Sequence, residues 1–398
     1  MTDWQALLNP DIKAFIRDHE NADIATLALK KPPKPDWPYA DILDQIKSRQ
    51  KARIKIPEWL DHDDIIFPAP GTLEQASSEA TAKYKASLFQ GKTFVDLTGG
   101  AGIDSWAMLE KFETATIIEK GKNAAQRFDH NIKILKSNSA TVKNESAEVF
   151  IEEMPHVDLA IIDPQRRNTS RKGLYKLEDC EPNILGLLPK IKADTILLKT
   201  SPMLDIAKGI KQLGHVSAVH IVEWSGECKE LLFILKPNET NENPPITAVT
   251  INNHGQTIHD FTFTTNEENE AELTLSPPQN YLYEPSPAFM KVGAHKLLAQ
   301  KYGLSKLAAD TQLLTSKDHV TDFPGRSFKI IETYPAKTKA LPFKKANLSV
   351  RNFPQDVKAL KNKLKLKDGG EDYIFACSVI SVENPEKESY RLIHCKKL

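Results

Sequence analysis

Cysteine is scarce in this chain: there are four in 398 residues, at Cys180, Cys228, Cys377 and Cys395, with no CxxC pair. That spacing encodes neither a zinc knuckle nor a disulfide framework, and no metal is expected. Free buried thiols in a reducing compartment are the simplest reading, and they place the protein in the cytoplasm. Net charge is missing too. Lys plus Arg and Asp plus Glu number 53 each, which excludes a whole-molecule field for nucleic acid or anionic membrane but leaves room for a local basic patch. No apolar run approaches about 18 residues. The start, Met1-Thr2-Asp3-Trp4-Gln5, has no basic segment ahead of an apolar one. Neither a membrane span nor a secretory leader is expected. Internal repeats and low-complexity tracts are also absent. What is present is ordinary for a globular protein, with 40% hydrophobic and 27% charged residues. At roughly 100–200 residues per domain, the length predicts two to four domains.

The first 75 residues read as interrupted helices. Apolar spacing predicts helices over 11–16, 22–29 and 39–51, with Lys31-Pro32-Pro33-Lys34-Pro35 breaking between the second and third. A further helix is predicted from Leu73 to Phe89, with Gly91 as its C-cap. From Thr93 to Leu235, short apolar runs alternate with helical stretches. The runs are 93–97, 115–119, 141–143, 159–163, 195–199, 218–222 and 231–235. Such alternation means βαβ units and a mainly parallel sheet. Only Glu223 to Glu230 separates the last two runs, too short for a helical crossover, so those strands are expected to be antiparallel neighbours. A polar break at Asn238–Pro245 precedes a hairpin around His254-Gly255. The expected divisions are a helical region 1–75, an α/β domain 76–236, a hairpin extension 237–280, a small α/β domain 281–325 and a last domain 326–398. A turn is expected at Phe323-Pro324-Gly325-Arg326, and a helix from Ala294 to Tyr302.

The strongest chemical signal is Asp96-Leu97-Thr98-Gly99-Gly100-Ala101-Gly102, where a strand ends in an acid and turns through glycines into a helix. Glycine is required where backbone approaches a ligand closely or takes positive φ. Glu119 ends the next strand, 17 residues after Gly102, where an acid can accept both ribose hydroxyls. These parts point to a nucleoside-containing cofactor. A dinucleotide needs G-x-G-x-x-G, and Ser105 occupies the third glycine position. A carboxylate at Asp96 also repels a pyrophosphate and suits a cationic amino-acid tail, as in S-adenosylmethionine. The alternative is a glycine turn with no ligand.

A second signal, Asp163-Pro164-Gln165-Arg166-Arg167, ends the fourth strand, on the side where open parallel sheets bind ligands. Asp163 there can accept a hydrogen bond from an amine while Pro164 stiffens the turn. The alternative is a strand-ending turn with solvated arginines. Lys199, ending the fifth strand, reads equally as a substrate contact or a packed lysine. Ser77 and Ser78 read as helix caps or as cofactor contacts. Cys228 lacks an adjacent histidine and reads as a buried thiol. Between Lys337 and Lys367, ten basic residues, among them Lys344, Lys345 and Arg351, are opposed only by Asp356, with Phe343 and Phe353 interleaved. That is a field able to hold phosphates; the alternative is a solvated helix face.

Taken together, these motifs resemble those of bacterial class I S-adenosylmethionine-dependent methyltransferases that carry a C-terminal THUMP-like domain. The matching stretches are the loop 96–104, Glu74-Gln75-Ala76-Ser77-Ser78-Glu79, Asp163–Arg167, Lys199-Thr200-Ser201-Pro202-Met203-Leu204-Asp205, Glu227-Cys228-Lys229-Glu230-Leu231-Leu232, Phe323–Arg326 and Leu364–Gly370. The stretch from Tyr281 to Pro285 is similar to the start of that family's small ferredoxin-like domain. The resemblance implies an α/β fold with a Rossmann-like seven-stranded sheet, N-terminal helices and small C-terminal α+β domains. It implies methyl transfer from S-adenosylmethionine and, through the THUMP-like tail, an RNA partner, tRNA or rRNA. The cofactor would be held by Asp96, Thr98, Gly99, Gly100, Gly102, Asp104, Glu119, Glu145, Asp163, Ser77 and Ser78. Asp163, Pro164 and Arg166 would serve the chemistry. Arg166, Arg167, Lys199, Lys344, Lys345 and Arg351 would hold the substrate. Gln165 and Arg166 stand where many base-amino methyltransferases have proline and an aromatic. Arg166 offers a guanidinium plane for stacking instead. Thr200-Ser201-Pro202 contains no cysteine, which excludes 5-methyluridine chemistry. Two other classes are an RNA-binding protein that keeps the cofactor pocket without catalysis, and an NAD-dependent oxidoreductase.

Overall fold

The computed structural model describes residues 4–135, 139–166, 176–381 and 387–398, with Arg166 described by its backbone alone. Two compact units result. The first comprises the chain up to Pro244 together with Val249–Ile258; the second comprises Pro245–Ala248 and His259–Leu398.

The first unit begins with helices α1 (Pro10–Asp18), α2 (Ile24–Ala28) and α3 (Tyr39–Lys55). Asn9 and Asp23 cap the first two through their side chains. Ile12, Ile16, Ile42 and Ile46 close a small core between them. The helix expected over 73–89 is two helices, α4 (Pro70–Gln75) and α5 (Glu79–Ser87). The break falls at Ala76-Ser77-Ser78. Ser78 takes extended backbone and accepts from Thr81 N, and its own N–H donates to Thr81 Oγ1, completing a capping box. Serine competes with the helix for backbone hydrogen bonds, so a pair of serines favours a cap over a continuous helix. Gly91 is not a C-cap: it opens the first strand.

The central sheet contains β1 (Gly91–Asp96), β2 (Phe112–Ile118), β3 (Ala140–Lys143), β4 (Val157–Ile162), β5 (Ala193–Thr200), β6 (Val216–Trp224) and β7 (Glu227–Leu235). Their order is β6-β7-β5-β4-β1-β2-β3. β1 to β5 pair in parallel, and β7 runs antiparallel to both β5 and β6. The reversal needs only the turn at Ser225-Gly226, both residues with positive φ. The cores of β4 and β5 are continuous apolar runs buried on both faces, as parallel strands require. Helices α6 (Ile103–Met108), α7 (Lys122–Leu135) and α8 (Ala147–Glu153) make the crossovers after β1, β2 and β3. The strand order changes direction between β1 and β4, which opens a crevice at their carboxyl ends. The hairpin β8 (Ile246–Ile251) and β9 (Thr257–Phe263) does not stand apart as an extension. Its turn half, Val249–Ile258, belongs to the first unit and continues the sheet beyond β6.

The second unit is built on one sheet of β10 (Tyr281–Pro285), β11 (Ser305–Lys306), β12 (Leu314–Ser316), β13 (Gly325–Pro335), β14 (Asn347–Arg351), β15 (Asp372–Ile380) and β16 (Glu388–Lys397). The order is β11-β12-β10-β13-β16-β15-β14. Leu282, Phe328, Phe375 and Ile393 form one core; Leu360 and Leu364 of the helix Val357–Leu364 join Ile374 and Leu392 in another. Gly325 and Arg326, expected in a turn, begin β13. Among the described residues, no helix is long and apolar enough to cross a membrane.

Candidate active site

A cavity of about 760 Å³ lies beyond the carboxyl ends of β1, β4 and β5 within the first unit. Pockets that take cofactors are typically about 300–1,000 Å³. Its wall includes the loop 98–102, Glu119 after β2, Glu145 after β3, Asp163 and Pro164 after β4, and Lys199 at the end of β5.

The glycines of the loop answer first to packing. Gly102 caps α6 with φ +80°, and a Cβ there would lie 2.0 Å from the Phe128 ring. A Cβ on Gly99 would lie 2.6 Å from Ile117. Gly100 takes φ +54° and donates its N–H to Glu119 at 2.9 Å. The other Glu119 oxygen accepts from Gly121 N at 2.6 Å. Glu145 is 3.9 Å from Lys143 and borders the cavity. Thr98 Oγ1 accepts the Asp163 N–H at 2.7 Å, so the turns after β1 and β4 are fastened to each other.

Asp96 is 3% exposed, and both oxygens are engaged inside the loop, by Thr98 N at 2.9 Å and by the Ser105 hydroxyl. Burial pushes its carboxyl up to about 6 against the pull of those bonds. A carboxyl raised in the folded state favours folding below its unfolded value and loses that contribution as pH rises through the folded one. Relative to Asp96→Asn, the wild-type protein therefore loses stability between its ordinary value of 3.8 and about 6 and changes little above that. Urea unfolding of both proteins across that range checks it, and a flat difference would show that Asp96 titrates normally.

Three cofactor assignments meet a different environment. Asp104 faces a buried ion cluster. Lys85 lies 3.1 Å from one of its oxygens; Lys199 at 3.4 Å and the Ser77 hydroxyl at 2.7 Å meet the other. These cations hold Asp104 well below the usual carboxylate range despite burial that would raise it. Ser77 accepts from Lys199 at 2.9 Å and from Lys85 at 3.1 Å. Ser78 caps α5 and does not border the cavity. Lys85, 1% exposed, is also bonded to buried Glu230. Sequence reasoning missed Lys85, which sits among the alanines of α5. A faint signal was available in Glu230, a carboxylate directly abutting the apolar run Leu231–Leu235.

Asp163 is the open member of this group. Its carboxylate is 2.6 Å from Lys199, and 38% of its side chain is exposed, toward the cavity. Enclosure by protein raises Asp163, and Lys199 opposes the rise. Burial would lower Lys199, yet Asp163, Asp104 and Glu230 together raise it well above its ordinary value. Gln165 and Arg166 form a two-residue ribbon with Cys180 and Glu181. The Arg166 side chain and all of Arg167 lie outside the described residues.

In the second unit, Lys344 and Lys345 are exposed, as are Lys337, Lys339, Lys358, Lys365 and Lys367. Arg351 is not available in the same way. It donates to buried Glu284 at 2.7 Å, and Arg326 Nε holds the other carboxylate oxygen at 2.7 Å. Phe343 and Phe353 are partly buried against the core and do not stand free between the lysines. Cys180, Cys377 and Cys395 are buried, and burial pushes the Cys377 thiol up to about 12.

Residues 281–324 match a ferredoxin-like domain family and residues 325–397 a THUMP domain-like family. The crystal structure of a provisionally assigned methyltransferase from Porphyromonas gingivalis W83 is 29% identical, with 100% of this chain and 99% of that chain covered at a TM-score of 0.83. An rRNA methylase from Streptococcus thermophilus is 13% identical, covering 39% of this chain and 92% of that chain at 0.29. A provisionally assigned methyltransferase from Streptococcus mutans in complex with SAH is 11% identical, covering 40% and 96% at 0.30. Likenesses as slight as these last two carry no argument. No curated protein matches the chain.

Proposed function

We propose that this chain, which has a methyltransferase-like α/β fold with ferredoxin-like and THUMP-like domains at its C-terminus, is an S-adenosylmethionine-dependent methyltransferase acting on RNA in the cytoplasm. One observation carries the cofactor reading. Seven carboxylates border the cavity (Asp96, Asp104, Glu119, Glu145, Glu148, Asp163 and Glu181) against three lysines, Lys120, Lys199 and Lys229. Such a wall favours a cation-bearing cofactor and disfavours the pyrophosphate of a dinucleotide. On this reading Glu119 would take the ribose hydroxyls, Glu145 the adenine amine and the loop 98–100 the methionine end; all of them border the cavity.

Bound S-adenosylmethionine would supply a methyl carbon on cationic sulfur, the carbon–sulfur pair staying on sulfur as the carbon bonds to the acceptor. The chain's part is to position the two reactants, since the leaving group is already activated. Asp163 would orient the acceptor, with Pro164 and the Thr98 bond fixing its backbone. The RNA reading rests on the THUMP-like domain and on the seven exposed lysines between 337 and 367. The test is incubation with tritiated S-adenosylmethionine and RNA from cells lacking the protein. Ribonuclease-sensitive tritium is expected. Label that resists ribonuclease, or none at all, would overturn the reading, and the last outcome would favour a binding protein without catalysis.

A further inference from the structure

We propose that Lys199 is a positioning residue: it holds the Asp163 carboxylate ionised and turned into the cavity, so that the acceptor atom is a nitrogen or oxygen bearing a proton of its own. The inference rests on the methyltransferase reading and adds the chemical class of the acceptor.

Two ammonium groups, Lys85 and Lys199, meet three carboxylates, Asp104, Glu230 and Asp163. Lys85 bridges Asp104 and Glu230; it is 1% exposed and Glu230 is buried, while the Asp104 side chain is 15% exposed and borders the cavity. Lys199 reaches from Ser77 and Asp104 at its back to Asp163 at its front. Ser77 completes the lattice, accepting from both lysines while its hydroxyl meets Asp104 at 2.7 Å and Glu230 at 3.1 Å. Lys199, 9% exposed, thus has neighbours on several sides and little freedom to leave. The cluster carries one more negative than positive charge, and Asp163, 38% exposed against 15% for Asp104 and 6% for Glu230, is its most open carboxylate.

The groups facing Asp163 are Asp104 from α6, Glu230 from β7, Asp96 from β1 and Lys199 from β5. Three of these push its proton on; Lys199 is the cation that keeps it off. An ionised carboxylate only accepts hydrogen bonds. It therefore orients an amine or hydroxyl, which brings an N–H or O–H, and repels a phosphate oxygen or thiolate. When that nitrogen or oxygen gains its methyl, the proton it sheds passes to the Asp163 carboxylate and on to water.

The experiment is a carbon-13 titration of the full-length protein labelled at aspartate carboxyls, with the Asp163 signal identified by its loss in Asp163→Asn. The wild-type signal is expected to be that of an ionised carboxylate at pH 7. Lys199→Met should raise its midpoint by about 1–3 pH units, and Lys199→Arg should keep it near the wild-type value. A protonated Asp163 at pH 7 in the wild type, or an unmoved midpoint in Lys199→Met, would overturn the proposal; the first reading stands even if the variant does not fold. S-adenosylmethionine binding, measured by calorimetry on the same samples, reports separately on the methyltransferase reading. Mass spectrometry of the labelled nucleosides is expected to place the methyl on an amine nitrogen or a hydroxyl oxygen. A methyl on carbon or sulfur would contradict the acceptor class.

Discussion

Asp163→Ala is expected to lower methyl transfer to RNA by about 10²- to 10⁴-fold, the range in which a positioned proton acceptor acts. The substitution leaves its surroundings standing. The Asp163 contact with Thr98 is made by the backbone N–H and survives the loss of the side chain. Lys199 keeps Asp104 and Ser77 as partners. The loop 98–102 is fixed by Asp96, Glu119 and Phe128, none of which changes. Cofactor affinity should therefore move by less than about tenfold, because the carboxylate acts mainly on the acceptor. Asp163→Asn keeps an acceptor oxygen but cannot take a proton, and should fall between the two. Tritium transfer and calorimetry on the same preparations check this. Full transfer in folded Asp163→Ala would remove Asp163 from the mechanism.

The largest effect on stability is expected at Lys85, which is 1% exposed. Lys85→Met removes the cation between Asp104 and Glu230: Asp104 keeps Lys199 at 3.4 Å, whereas buried Glu230 is left with the Ser77 hydroxyl at 3.1 Å. Breaking a buried pair from one side costs about 3–5 kcal/mol, because the remaining charge is uncompensated. Lys85→Met combined with Glu230→Leu should recover part of that loss, since no unpaired glutamate remains. A contrast is available on the surface of α7, where Lys133 pairs with Asp129 at 2.6 Å with both side chains largely exposed. Removing that lysine should cost about 0.5 kcal/mol or less. Urea unfolding of the two variants separates these cases. Equal losses would mean that the interior cluster is hydrated and not the closed ion lattice described above.

Much of the first unit can be read from residue pattern. The alternation of apolar runs with helical stretches gave the strands, and the eight-residue interval between Val222 and Leu231 was too short for a crossover, which set β7 antiparallel. Asp96 to Gly102 marked the turn at the carboxyl edge because glycine clustering after an acid-ended strand is a local signal. Contacts between distant segments left no such trace. Asp104 looked like part of the cofactor loop, and only the folded chain brings Lys85 and Lys199 onto it. The same holds for Arg351, which reads as one more charge in a basic stretch until β10 places Glu284 against it. The two serines at 77 and 78 show the limit from the other side. Their composition favours a cap, and Ser78 provides one, whereas the role of Ser77 depends on Lys199 and Asp104, residues 122 and 27 positions away. The packing of Phe343 and Phe353, interleaved among those lysines, is illegible in the sequence for a related reason. Periodicity in an irregular, lysine-rich stretch does not say which side meets the sheet, and both rings pack on the core.

Calorimetric titration of the purified protein with S-adenosylmethionine, its demethylated product S-adenosylhomocysteine and NAD tests the central claim most directly. The seven carboxylates around the cavity predict saturable binding of the two sulfur compounds and none of NAD. Binding of NAD, or of neither sulfur compound, would contradict the account and leave the glycine turn as a piece of packing.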